Sequence, residues 1–475
     1  MLLRTFTLLA FFFIPFISQA DMEWSGVYRF EGVLLDNPSL IKNGGDSKDY
    51  ATHHLVLKPK MIVADGFEIN ARFDGFNGAT DQNVHPNNQI GNAFGASSSN
   101  NDQYYSSAAG NAGADIIEIT QAYLTYSHNF GALIVGRAPV HFGLGMSYDS
   151  GDGLFDHWYD TRDLIGFKVH FGNIYVFPMY AKLNEGAIGR KSSDAEDLRF
   201  QAEYDNKDKD IKLGFLFSEK KAKANNHDYP VLIDNATYSR ANDLKIRSLS
   251  FYLKKDLENL DYGLEFSYVS GDTGLVNTSG QEVDIQAFGI AAELDYEMPK
   301  HSLSFGLRAG YASGDDKQTN DKVEGFIFNR NYDVGMLLFN HPLGQQDLLG
   351  VQSFLRKGYG VNNPATPNSS RLEDFDVESI SNVFYIAPSV KYDINDKINI
   401  KSTFITGFLV EDAQGFTDMD TALGYELDLS VSYQPIKRVH LMLQGAALLP
   451  GSAFEAGNVD SKFTYGLMGK AAVNF

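Results

Sequence analysis

Phe463-Thr464-Tyr465-Gly466-Leu467-Met468-Gly469-Lys470-Ala471-Ala472-Val473-Asn474-Phe475 closes the chain. Its odd positions are Phe463, Tyr465, Leu467, Gly469, Ala471, Val473 and Phe475, and its even positions are Thr464, Gly466, Met468, Lys470, Ala472 and Asn474. Successive side chains of a β-strand point to opposite faces, so this segment is a ribbon with one greasy and one wet side.

The same alternation recurs upstream. Leu423, Tyr425, Leu427, Leu429, Val431 and Tyr433 oppose Gly424, Glu426, Asp428, Ser430 and Ser432, and Val439, Leu441 and Leu443 oppose His440, Met442 and Gln444. The connections alternate in length as well. Short links rich in Gly, Asn, Asp and Pro, the composition of tight hairpins, fall at Ala64-Asp65-Gly66, Asn129-Phe130, Gly172-Asn173, Asn206 to Lys209, Glu258 to Leu260, Met298-Pro299-Lys300, Asn395-Asp396-Lys397 and Pro435-Ile436-Lys437. Between them lie longer links near 36–50, 77–115, 139–162, 184–196, 219–243, 271–282, 313–379, 410–420 and 449–462.

Eight turns and nine loops join eighteen strands; indistinct boundaries near Pro139 and in 163–183 leave sixteen as the other reading. Ala132–Ala138 reads as a weak strand, and Pro388 interrupts the one at 382–392. Short turns on one side, long loops on the other and an even strand number are the pattern of an all-β, antiparallel transmembrane barrel. Both termini then fall on the short-turn side, which is periplasmic, and the long loops are extracellular.

The N-terminus agrees. Arg4, an apolar run from Phe6 to Ile17 and Ser18-Gln19-Ala20 read as a cleaved signal peptide over 1–20. The run is shorter than the roughly 20 residues a spanning helix needs. The barrel itself should occupy 21–475, in the outer membrane of a Gram-negative cell. There is no Cys, which removes disulfides, thiolate catalysis and a lipoprotein anchor. A formal net charge of −20, one unit more negative without Arg4, is unfavourable for nucleic acid. The expected surroundings are outer-membrane lipid and lipopolysaccharide.

A barrel of this strand number is too wide for strand side chains alone to fill, and leaves an aqueous lumen. With the greasy face toward lipid, the wet face supplies the pore-lining candidates Arg29, Glu31, Glu68, Arg72, Asp74, Lys168, Arg199, Glu203, Lys212, Glu265, Arg308, Lys391, Glu426, Asp428 and Lys470, joined by Glu118, Asp284, Lys401, Gln201, His440 and Gln444. The facing of Arg137, at a strand end, is open. Rings of one sign select for the opposite ion. Both signs are interspersed here, which favours small neutral or multiply hydrogen-bonding solutes, although such charges also serve a barrel by satisfying one another.

Loop 313–379 carries two apolar stretches, Gly325-Phe326-Ile327-Phe328-Asn329-Arg330-Asn331-Tyr332 and Met336-Leu337-Leu338-Phe339-Asn340-His341-Pro342. Apolar segments of this size do not dangle in water, and unstructured loops of this length are uncommon. The loop is therefore expected to fold into or over the lumen, and deleting 320–370 should raise the conductance.

Two resemblances follow. The terminal Asn474-Phe475 after an alternating strand resembles the signal read by the barrel-assembly machinery, which makes that machinery an expected partner of Phe475. Leu423-Gly424-Tyr425-Glu426-Leu427-Asp428-Leu429, then Tyr433, then Leu448-Leu449-Pro450-Gly451 with Phe454 resembles the end of the alginate-export porin family, with a fainter echo at Val135-Gly136-Arg137, Gly143 and Gly145. This resemblance rests on about 35 residues, mainly the last two to three strands. It implies an eighteen-stranded barrel and a saccharide cargo. The family's exporter has an Arg/Lys-rich constriction, whereas this lumen carries both signs. Glu426 and Asp428 carry over by position and read as structural or pore-lining.

Catalytic signatures are missing. G-x-S-x-G, H-E-x-x-H and a P-loop do not occur. His53 and His54 are adjacent on a strand, so their rings cannot share a metal. Acidic stretches at Gly314-Asp315-Asp316, Asp374-Phe375-Asp376 and Asp418-Met419-Asp420 read as solvated loops rather than calcium sites. No cofactor, metal or catalytic residue is expected. The reading is a channel for passive passage of small polar solutes or a saccharide; the alternatives are a closed adhesin or receptor barrel and, further off, a hydrolase.

Overall fold

A computed structural model of the chain describes residues 21–42, 47–76, 117–184, 194–224, 238–316, 319–351, 378–413, 416–456 and 461–475. The expected signal segment 1–20, the whole of loop 77–115 and residues 352–377 lie outside the described residues.

Eighteen antiparallel strands form one closed sheet. They are β1 (Asp21–Asp36), β2 (Ser47–Ala64), β3 (Phe67–Gly75), β4 (Ile117–His128), β5 (Gly131–Pro139), β6 (Thr161–Phe171), β7 (Ile174–Asn184), β8 (Ala195–Asn206) and β9 (Ile211–Ala222), followed by β10 (Leu244–Asp256), β11 (Leu260–Asn277), β12 (Glu282–Met298), β13 (Leu303–Ala312), β14 (Val383–Asn395), β15 (Ile398–Leu409), β16 (Ala422–Ile436), β17 (Val439–Pro450) and β18 (Thr464–Asn474). Each pairs with its sequence neighbour, and β18 pairs back onto β1, for example Glu31 opposite Lys470. Phe475 and Gly26 exchange backbone hydrogen bonds of 2.9 and 3.0 Å beside that seam. Closure leaves no edge strand unpaired in lipid. Two short pieces, Tyr238–Arg240 and Lys322–Val323, extend the sheet above β11 and β12.

Alternation decides which way the ribbons face. In β18, Tyr465, Leu467 and Val473 are exposed while Thr464, Gly466, Met468 and Ala472 are buried. The protein is thus apolar on its outer face, with the polar strand residues turned inward, the arrangement demanded where the solvent is lipid. Outward aromatics gather at both ends of the strands, Trp24, Phe67, Tyr262, Tyr296, Tyr392 and Tyr433 near the short turns and Phe288, Phe384, Phe408, Tyr425 and Tyr465 near the long loops.

Four sequence readings change. The connection expected over 271–282 is a four-residue link, because β11 runs on to Asn277 through a bulge between Asp272 and Leu275. Positive-φ Gly271 and Gly274, where a Cβ would strike the facing backbone, permit that bulge. Strand β16 continues to Ile436, so the last tight turn is Lys437-Arg438. The stretch 132–138 belongs to a full strand, β5. Pro388 sits on the outward face, where β14 and β15 skip a step of their pairing and its missing N–H leaves no gap.

The largest apolar cluster lies inside the barrel. Met336, Leu337, Leu338 and Phe339 pack with Phe326 and Phe328 against inward Val383, Tyr385, Ile405, Leu423, Leu448 and Met468. Residues of the 313–379 loop are thus the interior packing of one half of the wall.

Candidate interior passage and its two inward loops

Loop 140–160 leaves β5 and crosses the lumen before re-entering β6. On one side Phe142, fully buried, packs with Val140, Tyr148 and Leu216 and meets the Tyr252 ring edge-on at 6.0 Å. There the Glu265 carboxylate, on β11, accepts three backbone N–H groups: Leu144 at 2.7 Å, Ser147 at 3.0 Å and Met146 at 3.2 Å. Gly143 (φ +61°) and Gly145 (φ +83°) make this possible, since a Cβ on Gly143 would stand 2.6 Å from Glu265 Oε2.

On the other side the loop meets β1, β2, β3 and β18. Arg72 donates to the Gly151 carbonyl at 2.8 Å and, through Nε and Nη2, to both Asp74 oxygens at 2.9 Å. His54 lies between Arg29 (2.6 Å to Nδ1) and Asp74 (2.8 Å from Nε2), a network that assigns its proton to Nε2. Thr120, turned inward by a bulge in β4, also donates to Asp74. Glu31 receives His157 Nε2 at 2.9 Å and pairs with Arg29 and Lys470 at 3.5 Å. Lys58 pairs with Asp152 of the loop. Buried charges persist only when matched in this way.

The loop's own titratable groups are unequally placed. A hydrogen bond from His141 Nδ1 to the Asp149 carboxylate, 3.4 Å away, raises the His141 pKa above its ordinary value despite burial. Burial by itself would raise Asp149, yet His141, the Gly151 N–H and Asn331 together hold it low. Burial raises Asp156, with Asp149 adding to the effect, and burial also raises Asp160.

Segment 324–351 docks onto both the wall and loop 140–160. Two wall carboxylates receive it: Glu426 accepts Leu337 N–H at 2.7 Å and Leu338 N–H at 2.6 Å, and Asp428 accepts Met336 N–H at 2.9 Å. Toward the other loop, Asn329 N–H donates to the Met146 carbonyl at 2.7 Å and its side chain to Asp160 at 2.8 Å. Asn331 exchanges hydrogen bonds of 3.0 and 2.8 Å with the Trp158 backbone, and the Arg330 guanidinium lies over the Trp158 ring at 3.9 Å.

Between the loops and the wall runs a cleft lined by Glu31, Tyr50, Phe155, His157, Arg330 and Lys470 among others, of about 60 Å³. That is room for a few waters and not for a sugar ring. Below the tip Leu154-Phe155 a vestibule of about 560 Å³ opens toward the short-turn end, lined by Asp393, Asn399, Gln434 and His440.

The structure places the other candidates as follows. Arg199 is buried beside Asp197 (3.7 Å) with its guanidinium 4.2 Å from the Tyr148 ring centroid. Gln201 donates to Glu203 at 2.7 Å, and Lys168 lies over the Tyr175 ring. Glu68 pairs with Lys60, Arg308 with Asp295 and Glu293, and Lys391 with Asp393. Lys212 pairs with Asp205 near a short turn and is half exposed. Glu118 stands opposite Asp74, and Lys401 opposite Lys391. Gln444 donates to Asp428, and His440 lines the vestibule. Asp284 faces outward, a correction. On the loop side of β12 the inward positions Val283, Ile285 and Ala287 are buried in the apolar cluster, which sends the polar residues of that stretch outside. Arg137 faces outward too, in a bidentate pair with Asp163 at 2.7 and 2.9 Å.

His54, Lys58 and Lys60 escaped the sequence reading, although their parity on β2 could have found them. The aspartates of loop 140–160 carry no period-two signal, and nothing in their spacing announces an inward path.

Among solved structures, the barrel resembles OccK9 (OpdG) of Pseudomonas aeruginosa and OccAB3 of Acinetobacter baumannii, each at 11% identity and TM-score 0.50, covering 96% of this chain and 99% of the other. The outer membrane protein OpdK of Pseudomonas aeruginosa follows at 11% identity and TM-score 0.48, with the same coverage. These likenesses concern the fold alone. No curated protein matches the chain. A family model described as alginate export matches residues 79–465. The resemblance is therefore not confined to the last strands but runs through most of the barrel. The chain belongs to the alginate-export family of outer-membrane barrels, and it resides in the outer membrane.

Proposed function

We propose that the protein is a channel for passive passage of small polar solutes or a saccharide across the outer membrane of a Gram-negative cell. The observation that carries this reading is the inverted barrel, apolar toward lipid and polar along one half of its interior, with two loops folded inward that leave a cleft of about 60 Å³, so that a solute larger than water passes when those loops move aside. Glu31 and Lys470 line the narrow part together with Phe155 and His157 of loop 140–160, Arg29, Arg72 and Asp74 are buried beneath that loop, and the vestibule below remains open. Interleaved signs on that wall favour a solute that offers both donors and acceptors over a simple ion. In the same reading, lipid and lipopolysaccharide cover the outward face, and the barrel-assembly machinery reads the terminal Phe475 strand.

Reconstitution into liposomes and swelling in sugars, peptides and organic acids tests the proposal. Swelling that is faster than in empty vesicles and falls with solute size is the expected result. No swelling with any solute would overturn it and favour an adhesin, receptor or hydrolase barrel.

A further inference from the structure

Strand β16 opens the family-like stretch with two inward carboxylates, Glu426 and Asp428, spaced two apart on one face. Both are buried, Glu426 completely. Among the described residues no Lys, Arg or His nitrogen comes within ion-pairing distance of either, unlike Glu31, Asp74, Asp197 or Asp295 elsewhere on the wall. Their acceptors are used on three successive backbone N–H groups, Met336, Leu337 and Leu338, at 2.9, 2.7 and 2.6 Å.

The segment is shaped for this contact. At Gly335 a Cβ would stand 3.3 Å from Glu426 Oε1, and Phe339 turns the chain with φ +72°. The neighbouring residues complete a cradle: Leu423 and Phe454 line a small apolar pocket with Leu338, Phe339 and Leu343, and a Cβ on Gly466 would touch Met336 and Leu337. The Leu423 to Phe454 stretch that resembles the family's end is thus the docking site of 336–349. Undocked, the carboxylates would be hydrated by lumen water.

We infer that Glu426 and Asp428 are positioning residues that clamp segment 336–338 across the lumen and so set the bore of the channel, independently of the Glu265 clamp on loop 140–160. The inference rests on the channel reading above, and its test separates the two.

The full chain, refolded in detergent and checked by heat-modifiable electrophoretic mobility, is compared as wild type, as the near-isosteric Glu426→Gln/Asp428→Asn, as Glu426→Ala/Asp428→Ala and as Glu265→Ala. Hydrogen exchange of the 336–338 amides reads the clamp, and single-channel conductance reads the bore. The alanine pair should exchange those amides at least about tenfold faster, because the bonds to the carboxylate oxygens are lost. The Gln/Asn pair should fall between, since its amide oxygens still accept weaker, neutral bonds. Conductance should rise by about twofold or more as the wide eighteen-stranded lumen is uncovered. Glu265→Ala should free the 144–147 amides and leave 336–338 protected. Unchanged protection in both double variants overturns the inference, as does a released segment with unchanged conductance in a conducting barrel. Silence in every form removes the channel reading instead, and exchange then decides the clamp by itself.

Discussion

Two loops enter this barrel, and they are held by different chemistry over most of their length. Loop 140–160 meets a charged wall: Arg29, Lys58, Arg72 and Glu31 answer its carbonyls, aspartates and histidine. Segment 324–351 meets an apolar wall, where Leu337 and Met336 are buried among Ile405, Leu448 and Met468. Each nonetheless contains the same device, a strand carboxylate receiving two or more closely spaced backbone N–H groups. One half of the lumen is given to packing and the other is kept polar, and the narrow cleft lies where the two loops and the wall meet.

The sharpest way to break this division is to put charge into the apolar half. Leu337→Asp would bury a carboxylate next to Glu426, an effect on the order of 3 kcal/mol or more against docking. The segment should become protease-sensitive, while heat-modifiable mobility shows the barrel intact. An equal loss should follow from Arg72→Ala on the polar side, where the Gly151 carbonyl loses its donor and Asp74 keeps only His54 and Thr120; about 3 kcal/mol is expected for breaking a buried pair. Exchange of the 150–153 amides measures it, and protection equal to wild type would mean the charged wall does not hold that loop.

Gly143→Ala asks less. Its positive φ and the 2.6 Å approach of a Cβ to Glu265 Oε2 should cost about 1–2 kcal/mol. Exchange at Leu144 and Met146 should rise, with no change at 336–338.

Acidity separates the loops again. With its pKa raised, His141 stabilises the docked loop fully below about 6.5, and the contribution is lost as pH rises through the raised value. Asp156 and Asp160, raised by burial, also favour docking when protonated and oppose it as they ionise. Asp149, held low, works the other way, but only as pH falls through its depressed value. Between about pH 8 and pH 5 loop 140–160 should therefore tighten and conductance decline. His141→Asn should remove the upper part of that change; a flat profile in the wild type would contradict it. The smallest effect is expected for Arg137→Gln. Its exposed pair with Asp163 lies on the outward face, contributes at most about 1 kcal/mol and should leave conductance unchanged.

Much of this was legible in the ribbons. The outward faces, such as Tyr425, Leu427 and Leu429 or Leu441 and Leu443, are set by lipid alone, and lipid makes the same demand everywhere. The inward faces answer to whatever the loops place against them. At Val383-Phe384-Tyr385-Ile386-Ala387 both faces are apolar, because segment 324–351 packs on one and lipid on the other, and the period disappears. Asp284 was misplaced for the same reason. Glu265, Glu426 and Asp428 were legible as inward charges, but their partners are backbone N–H groups, which have no letter in a sequence. Gly143 and Gly145, which aim the groups at Glu265, stand out in sequence only as a faint family echo.

The most direct test is single-channel conductance in planar bilayers, for the whole chain and for a chain lacking 320–370. The account predicts small discrete steps from the whole chain and larger ones from the shortened barrel. Identical steps, or none from either, would contradict it.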